Sequence, residues 1–478
     1  MPGDPGLPGG GAIPPTLAPT YYKNFAPRLG LAWSPNASEG IVGKLFGGPG
    51  KTSIRVAAGI YYTAIQDAGL FSIVADAPYG LFWVSPNPVL FDQPFLQRAD
   101  GSSQTQRFPF ALPVPGSAAV KNLDYSVFLP ISGSPGYAVG NKLPYGEHYN
   151  VSIQRQLSGN TVMTLAYVGS EGHKLFAQYN ANPGAPALCL SLRGSGVKAG
   201  TTQCGPNLEG TIFTRPDGSL VYGTRGPLGI NFGADNYEST NANSVFNSFQ
   251  ATMERRAHNM TLLAAYTFSK SLDDASSYTA MNFSNFRLSR ALSSFDSQHN
   301  FVVSYIYSIP FDRIFALGPK RLTQGWSVSG ITRFATGFPV ALSQTGDRSL
   351  TSVSAVDHPN YIGGLVITPD VRTTPGHQYF GKAAFTSEDL GAMGTANQRF
   401  FHGPGINNWD AALLKNTRIH ESVSLQFRAE FFNVMEHAQF SNPVGSFTSS
   451  QFGQVTSVQT GSRGSGGRIG QMSLKLLW

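Results

Sequence analysis

Long stretches of this chain alternate apolar and polar residues with a period of two. Ile54, Val56, Ala58, Ile60 and Tyr62 alternate with Ser53, Arg55, Ala57, Gly59 and Tyr61. Tyr149, Val151, Ile153 and Leu157 form a second row, interrupted by Arg155, against His148, Asn150, Ser152, Gln154 and Gln156. Further rows are Met260, Leu262, Ala264, Tyr266 and Phe268; then Phe301, Val303, Tyr305, Tyr307 and Ile309; then Val423, Leu425, Phe427, Ala429 and Phe431. Successive side chains of a strand point to opposite faces, so each segment predicts a β-strand with one apolar and one polar face. In the last of these rows the polar face carries Ser424, Gln426, Arg428 and Glu430.

The chain ends on the same pattern. Met472, Leu474, Leu476 and Trp478 share one side of a final strand, and Ser473 and Lys475 the other, with only Leu477 out of register. An aromatic last residue places an amphipathic ring where a membrane meets water, as in the aromatic girdles of transmembrane barrels. The closing strand of a soluble β-sandwich fits this segment alone equally well. Strand length separates the two readings. The predicted strands run about 9–13 residues, where globular strands average about 5–6 and a tilted bilayer-crossing strand needs about 9–11. Some strands join through tight turns, around Gln156–Asn160 and Ala257–Asn259, whereas 63–145, 180–243, 270–297 and 343–407 are long polar connections. Short turns at one end and long loops at the other are the pattern of an outer-membrane barrel; soluble sandwiches rarely carry connections of that length. The expected fold is all-β, an antiparallel transmembrane β-barrel with about 12–14 strands in this chain.

Composition agrees. Of 478 residues 13% are charged and 12% aromatic, with 54 glycines, against a charged share of about 25% in soluble domains. Mean hydropathy is −0.11, and no run approaches the roughly 18 apolar residues of a spanning helix. A secreted all-β protein has a similar composition. The net charge of +7 comes from scattered cations, with Arg255-Arg256 and Lys320-Arg321 the only adjacent pairs, so no nucleic-acid partner is expected. Cys189 and Cys204 lie in one Gly/Ser-rich segment. Their spacing permits a loop disulfide in an oxidising compartment, worth on the order of 3 kcal/mol; two unpaired thiols are the alternative.

Catalytic chemistry finds no support. Gly47-Gly48-Pro49-Gly50-Lys51-Thr52 imitates a phosphate loop, but its first glycine falls on Leu45 and a β pattern follows where a helix is needed; a Gly-rich hairpin turn is the expected structure. Residues Gly461 to Gly467 are read as a flexible loop, not a nucleophile elbow. The nine histidines show no metal-binding spacing, and His148, His299 and His437 are read as hydrogen-bonding groups at strand ends. Asp273-Asp274 is read as a solvated acidic turn. Gln426, Arg428 and Glu430 are the candidate lumen-facing polar residues, with a structural Arg428–Glu430 ion pair expected. No cofactor, metal or enzymatic activity is expected.

Several segments, taken in order, resemble the C-terminal barrel of Oar-like TonB-dependent outer-membrane receptors. They are Asn24-Phe25-Ala26-Pro27-Arg28-Leu29-Gly30-Leu31-Ala32-Trp33-Ser34-Pro35, the hairpin from Tyr149 to Leu157 and on to Ala166-Tyr167-Val168-Gly169-Ser170, and Ala265-Tyr266-Thr267-Phe268-Ser269-Lys270-Ser271. Asp296 and His299 ahead of Phe301-Val302-Val303-Ser304-Tyr305, Gly325-Trp326-Ser327-Val328-Ser329-Gly330 and Thr336-Gly337-Phe338-Pro339 follow. The most specific are Arg428-Ala429-Glu430-Phe431-Phe432-Asn433, Phe440-Ser441-Asn442-Pro443, Phe452-Gly453 and Arg468-Ile469-Gly470.

The resemblance implies a barrel of about 22 strands with an N-terminal plug, energised through the TonB system, that imports a large or scarce ligand across the outer membrane of a Gram-negative-type bacterium. Residues 1–23 form a Pro/Gly-rich segment without a signal peptide, and 24–478 the barrel part. The plug and TonB-contacting segment are not seen in this sequence, so the chain is expected to be the C-terminal part of a longer receptor. Met472, Leu474, Leu476 and Trp478 are the expected signal to the barrel-assembly machinery. A passive pore or structural barrel, and a secreted carbohydrate-binding β-protein, are the alternatives. The ligand is not legible.

Overall fold

The computed structural model describes residues 21–64 and 140–478, except 235, 277–284, 353–356, 369 and 460–466, together with a few positions between 124 and 138. Among the described residues the alternating segments form one 12-stranded antiparallel sheet. Its continuous path is β1 (Arg28–Trp33), β2 (Thr52–Tyr62), β3 (Tyr145–Ser158), β4 (Thr161–Asn180), β5 (Asn236–Ala257), β6 (Met260–Asp273), β7 (His299–Ser308), β8 (Trp326–Ala335), β9 (Ile406–Arg418), β10 (Ser424–Phe432) and β11 (Ile469–Leu477). The remaining strand, Ala291–Leu292, pairs with β6. Every strand of the path pairs with its neighbour in sequence, so no crossover is needed.

The register explains why the apolar rows lie where they do. Opposed residues share a face. Leu31 faces Val56, which faces Val151, then Tyr167, Phe249 and Phe268 in turn. Further along, Tyr266 faces Phe301 and then Phe334, and Val328 faces Leu413, Ala429 and Met472. The rows predicted strand by strand therefore merge into one apolar surface running across the sheet. It is uncovered by protein: Leu29, Leu31, Val56, Val151, Leu165, Met472 and Leu474 are all exposed, Leu29 at 79%. In water such a surface would be far larger than monomers tolerate; hydrocarbon is its natural solvent. No helix among the described residues is long and apolar enough to cross a membrane.

The connections sort by end. Residues 159–160, 258–259 and 419–423 are short turns on one rim, joined there by 34–51 and 309–325. The connections 63–144, 181–235, 274–298, 336–405 and 433–468 all leave the opposite rim. The 63–144 connection lies mostly outside the described residues, as does most of the Gly461–Gly467 segment. Two strands exceed expectation: β4 has 20 residues and β5 has 22. At about 3.3 Å per residue both continue well past a bilayer on the long-loop side. Register shifts between Gly172 and Leu175 and between Leu175 and Ala177 mark where their pairing becomes irregular.

Three local readings need correction. The Gly47–Lys51 segment does not join two strands directly: it follows a helix, α1 (Gly40–Phe46), closed by Gly47 at φ 79°, a left-handed conformation that glycine adopts without a Cβ clash. His148 is not at a strand end but inside β3, its ring 5.1 Å from that of Tyr61. Asp273 and Asp274 are not solvated; both are buried in ion-paired contacts described below.

The well-packed cores lie outside the sheet. One gathers Val340, Leu342, Val371, Phe380, Phe385, Phe401, Phe452 and Val455 from connections 336–405 and 433–468. The other gathers Cys189, Leu192, Val197, Cys204, Phe213 and Val221 from 181–235 with Leu350 from 336–405. Connections 181–235, 336–405 and 433–468 thus fold into a cap with hydrophobic interiors of its own.

Candidate functional site

Two surfaces can meet a solute: the polar face of the sheet and the loop cap. On the polar face, Gln426 lies opposite Asn416 and Lys475, Arg428 opposite Leu414 and Ser473, and Glu430 opposite Ala412 and Gln471. Gln426 donates to Asn416 Oδ1 over 3.0 Å. Arg428 donates to Glu430, and Gln471 donates to the other oxygen of the same carboxylate. Both Glu430 oxygens are therefore engaged within the sheet, which makes this cluster a brace of the wall before it is a ligand site. Met472, Leu474 and Leu476 lie on the other face, opposite Ala429, Phe427 and Leu425, and Trp478 follows the strand end with its ring exposed.

The polar face holds a feature that alternation conceals. Leu263, Ile306 and Ile331 are exposed large apolar residues on it, Leu263 and Ile331 both opposite Ser304. Ile306 and Ile331 border a cavity of about 290 Å³ that also includes Ser304, Ser329, Asp410, Arg428 and Glu430. Mixed apolar and charged lining suits an amphipathic solute or a packed protein segment. The signal in the sequence is the doubled apolar pair, as in Leu262-Leu263 and Tyr305-Ile306, where the second member breaks the alternation.

The cap is held by polar joints between loops distant in sequence. Cys189 and Cys204 are joined as a disulfide, their Cα atoms 5.4 Å apart. Asp273 meets Arg399 at 3.5 Å across 126 residues, and Arg399 Nε donates to Leu292 O at 2.5 Å. Asp274 lies 3.7 Å from Arg290. Asp296 accepts from Ser271 N at 2.6 Å and lies 2.8 Å from His402 Nε2. These joints fix the cap to the upper end of β6. Buried pairs of this kind are costly to break because the surviving charge stays buried alone.

Two further joints set carboxyl against carboxyl. Glu209 meets Asp347, whose oxygens accept from the backbone N–H groups of Asn207, Thr351 and Ser352 at 2.8, 3.1 and 2.7 Å. Glu388 meets Asp357 and accepts from His358 N and Gly394 N at 3.4 and 3.1 Å. Burial, followed by the hydrogen bond and charge of the neighbouring Asp, pushes Glu209 up to about 7 and Glu388 up to about 8. Both values lie above the ordinary 4.5, so the folded cap holds these protons more tightly than the unfolded chain does. The stability they contribute is complete below the unfolded value and drains away as pH rises through about 7 and about 8. Proteolysis of the cap in folded protein is expected to accelerate between about pH 5 and about pH 9, and Glu209→Gln together with Glu388→Gln to flatten that rise. An unchanged pH profile in the double variant would refute the assignment. No cluster of metal-ligating side chains occurs among the described residues.

The family model for the outer membrane beta barrel domain matches residues 2–471. The chain belongs to this family. Similar solved structures number 47 chains. The outer membrane transporter YddB from Escherichia coli is 9% identical, with 89% of this chain and 38% of that chain covered, at a TM-score of 0.41. The siderophore receptor PirA from Acinetobacter baumannii is 9% identical, covering 95% and 41%, at 0.40. The FrpB iron transporter from Neisseria meningitidis is 10% identical, covering 95% and 39%, at 0.36. This outer-membrane barrel spans about two fifths of the length of these solved proteins. No curated protein matches its sequence.

Proposed function

We propose that the chain is the barrel part of a TonB-dependent receptor that takes up a large or scarce solute across the outer membrane. The observation that carries the reading is the sorting of connections: the longest ones leave a single rim, and three of them, 181–235, 336–405 and 433–468, fold into a cap with two hydrophobic cores. Long connections on one rim occur in passive pores as well; what favours a receptor is that these connections pack into hydrophobic cores, a structured outer surface that captures its ligand before transport. The sheet supplies the wall, and the mixed groove beside Arg428 and Glu430 supplies a surface for a plug or a passing solute. Partners in this reading are the lipid bilayer, the barrel-assembly machinery acting on the terminal strand, and the TonB system through a segment outside this sequence. Catalysis plays no part.

The test is genetic. Cells lacking the gene, and cells lacking the TonB energising complex, are grown with ferric chelates, copper, cobalamin or oligosaccharides each limiting in turn. The same growth deficit in both strains on one solute is expected. A deficit that persists only in the barrel mutant, with uptake independent of the energising complex, would replace this reading with a passive pore.

A further inference from the structure

The short-turn rim repeats one arrangement at two places. In the 309–325 connection, Phe311 (of the helical turn Phe311–Ile314) meets Trp326 edge-on at 6.2 Å, and Trp326 Nε1 donates to Leu322 O at 2.7 Å. Lys415 lies over the same indole, 5.5 Å from its ring centroid, and donates to Arg321 O and Gln324 O at the end of the second helical turn, Lys320–Thr323. In the 34–51 connection, Phe46 of α1 meets Trp33 edge-on at 5.5 Å, and Arg155 Nη1 donates to Leu45 O at 2.6 Å. Trp33 and Trp326 both belong to the apolar face of the sheet, by their register with Ile54 and Lys415 and their alternation with Leu31 and Val328. Each connection is thus docked onto the lower border of the membrane-facing surface through a tryptophan, with a cation closing its helical turn.

What these connections then display is not suited to water. Ile314, Phe315, Leu317 and Leu322 are exposed in one, Leu317 completely, and Ile41, Val42 and Leu45 in the other. Among them stand cations that make no ion pair with the described residues: Arg313, Lys320 and Arg321 beside the first group, Lys44 and Lys51 beside the second. A cavity of about 550 Å³ opens next to Arg313, lined also by His258, Asn259, Asp312, Gln324 and Asn416. Apolar side chains level with the lipid border, with these cations and a polar cleft just beyond, reproduce the cross-section of a lipid leaflet from chain to headgroup.

The geometry points to a binding surface for anionic glycerophospholipid, with the 309–325 and 34–51 connections lying in the headgroup layer of the leaflet that meets the short-turn rim. Ile314, Phe315, Leu317 and Leu322 enter the acyl region. Arg313, Lys320 and Arg321 hold the phosphodiester, and the cleft beside Arg313 and His258 receives the rest of the headgroup. The apolar groups continue the surface already turned to lipid, and the charge selects lipids with net negative headgroups. The inference rests on the membrane-barrel reading, but it can fail alone.

Native mass spectrometry of the detergent-extracted protein, offered phosphatidylglycerol or phosphatidylcholine at equal concentration, tests it. Preferential retention of phosphatidylglycerol is expected, weakening with salt. Replacing Arg313, Lys320 and Arg321 together by Gln is expected to reduce that preference by at least about tenfold, taking about fivefold per cation near an anionic surface as the upper limit. Arg215→Gln, a cation in the loop cap, serves as the matched control and leaves the preference unchanged. Equal retention of both lipids by the wild-type protein overturns the inference, as does a triple variant that keeps its preference. If the triple variant does not fold, the wild-type comparison still decides. Absence of a heat-modifiable barrel altogether would instead sink the reading on which the inference rests.

Discussion

Phe380→Ala is expected to unlock the loop cap while leaving the barrel wall intact. Phe380 is fully buried and meets Phe401, Phe452 and Phe385 edge-on at 5.1, 5.0 and 6.0 Å. Those partners come from two different long connections, so the ring is the point where the cap's larger core is tied together. Truncating a buried Phe to Ala removes transfer energy and leaves a cavity, costing about 3–5 kcal/mol. Local opening free energies run from about zero up to the global stability, so a loss of that size in the cap's larger core is expected to open it. Limited proteolysis of the folded protein should then cut within 336–405 and 433–468 at least tenfold faster, while the heat-modifiable mobility of the barrel persists. Cutting at the wild-type rate would show that the cap does not depend on this core.

Leu165→Arg is expected to destabilise the folded barrel by about 2–4 kcal/mol, and Thr164→Arg by far less. The two residues are neighbours on β4 but face opposite ways. Leu165 lies between Ile153 and Ala251 in the apolar surface; Thr164 lies between Gln154 and Thr252 on the polar one. Leu165 stands four positions beyond Thr161, the start of β4, close to the middle of the roughly 9–11 residues that a crossing strand needs. A guanidinium there must be drawn out of hydrocarbon or snorkel to the headgroups, whereas at Thr164 it meets polar neighbours. Urea unfolding from lipid vesicles measures the difference. Equal effects of the two substitutions would mean that the apolar face does not look at lipid.

The wall of this protein is legible in its sequence because a strand's period of two is imposed by the backbone itself. The rows through Val151, Ala264, Val303 and Ala429 needed no knowledge of neighbours, and pairing merely aligned them. The contrast between short turns and long connections was legible for the same reason, since it follows from where the alternation stops. The cap was not. Its residues carry no period, and its joints link positions such as Asp273 and Arg399, 126 residues apart, so Asp273-Asp274 looks like an exposed acidic turn until Arg399 and Arg290 arrive from elsewhere. The helix at Gly40–Phe46 was hidden by flanking glycines and prolines that read as a turn. The apolar strip at Leu263, Ile306 and Ile331 left a trace only in doubled apolar residues, which by themselves look like lapses in alternation.

The central claim is that this chain lies in the outer membrane as a folded β-barrel. An immunoblot of isolated outer membranes with an antibody to the C-terminal strands, unheated and boiled samples run side by side, tests it most directly. A band found in the outer membrane, released only by detergent and shifting in mobility on boiling, is the predicted result. Recovery in the soluble fraction without detergent, with one mobility before and after boiling, would contradict it.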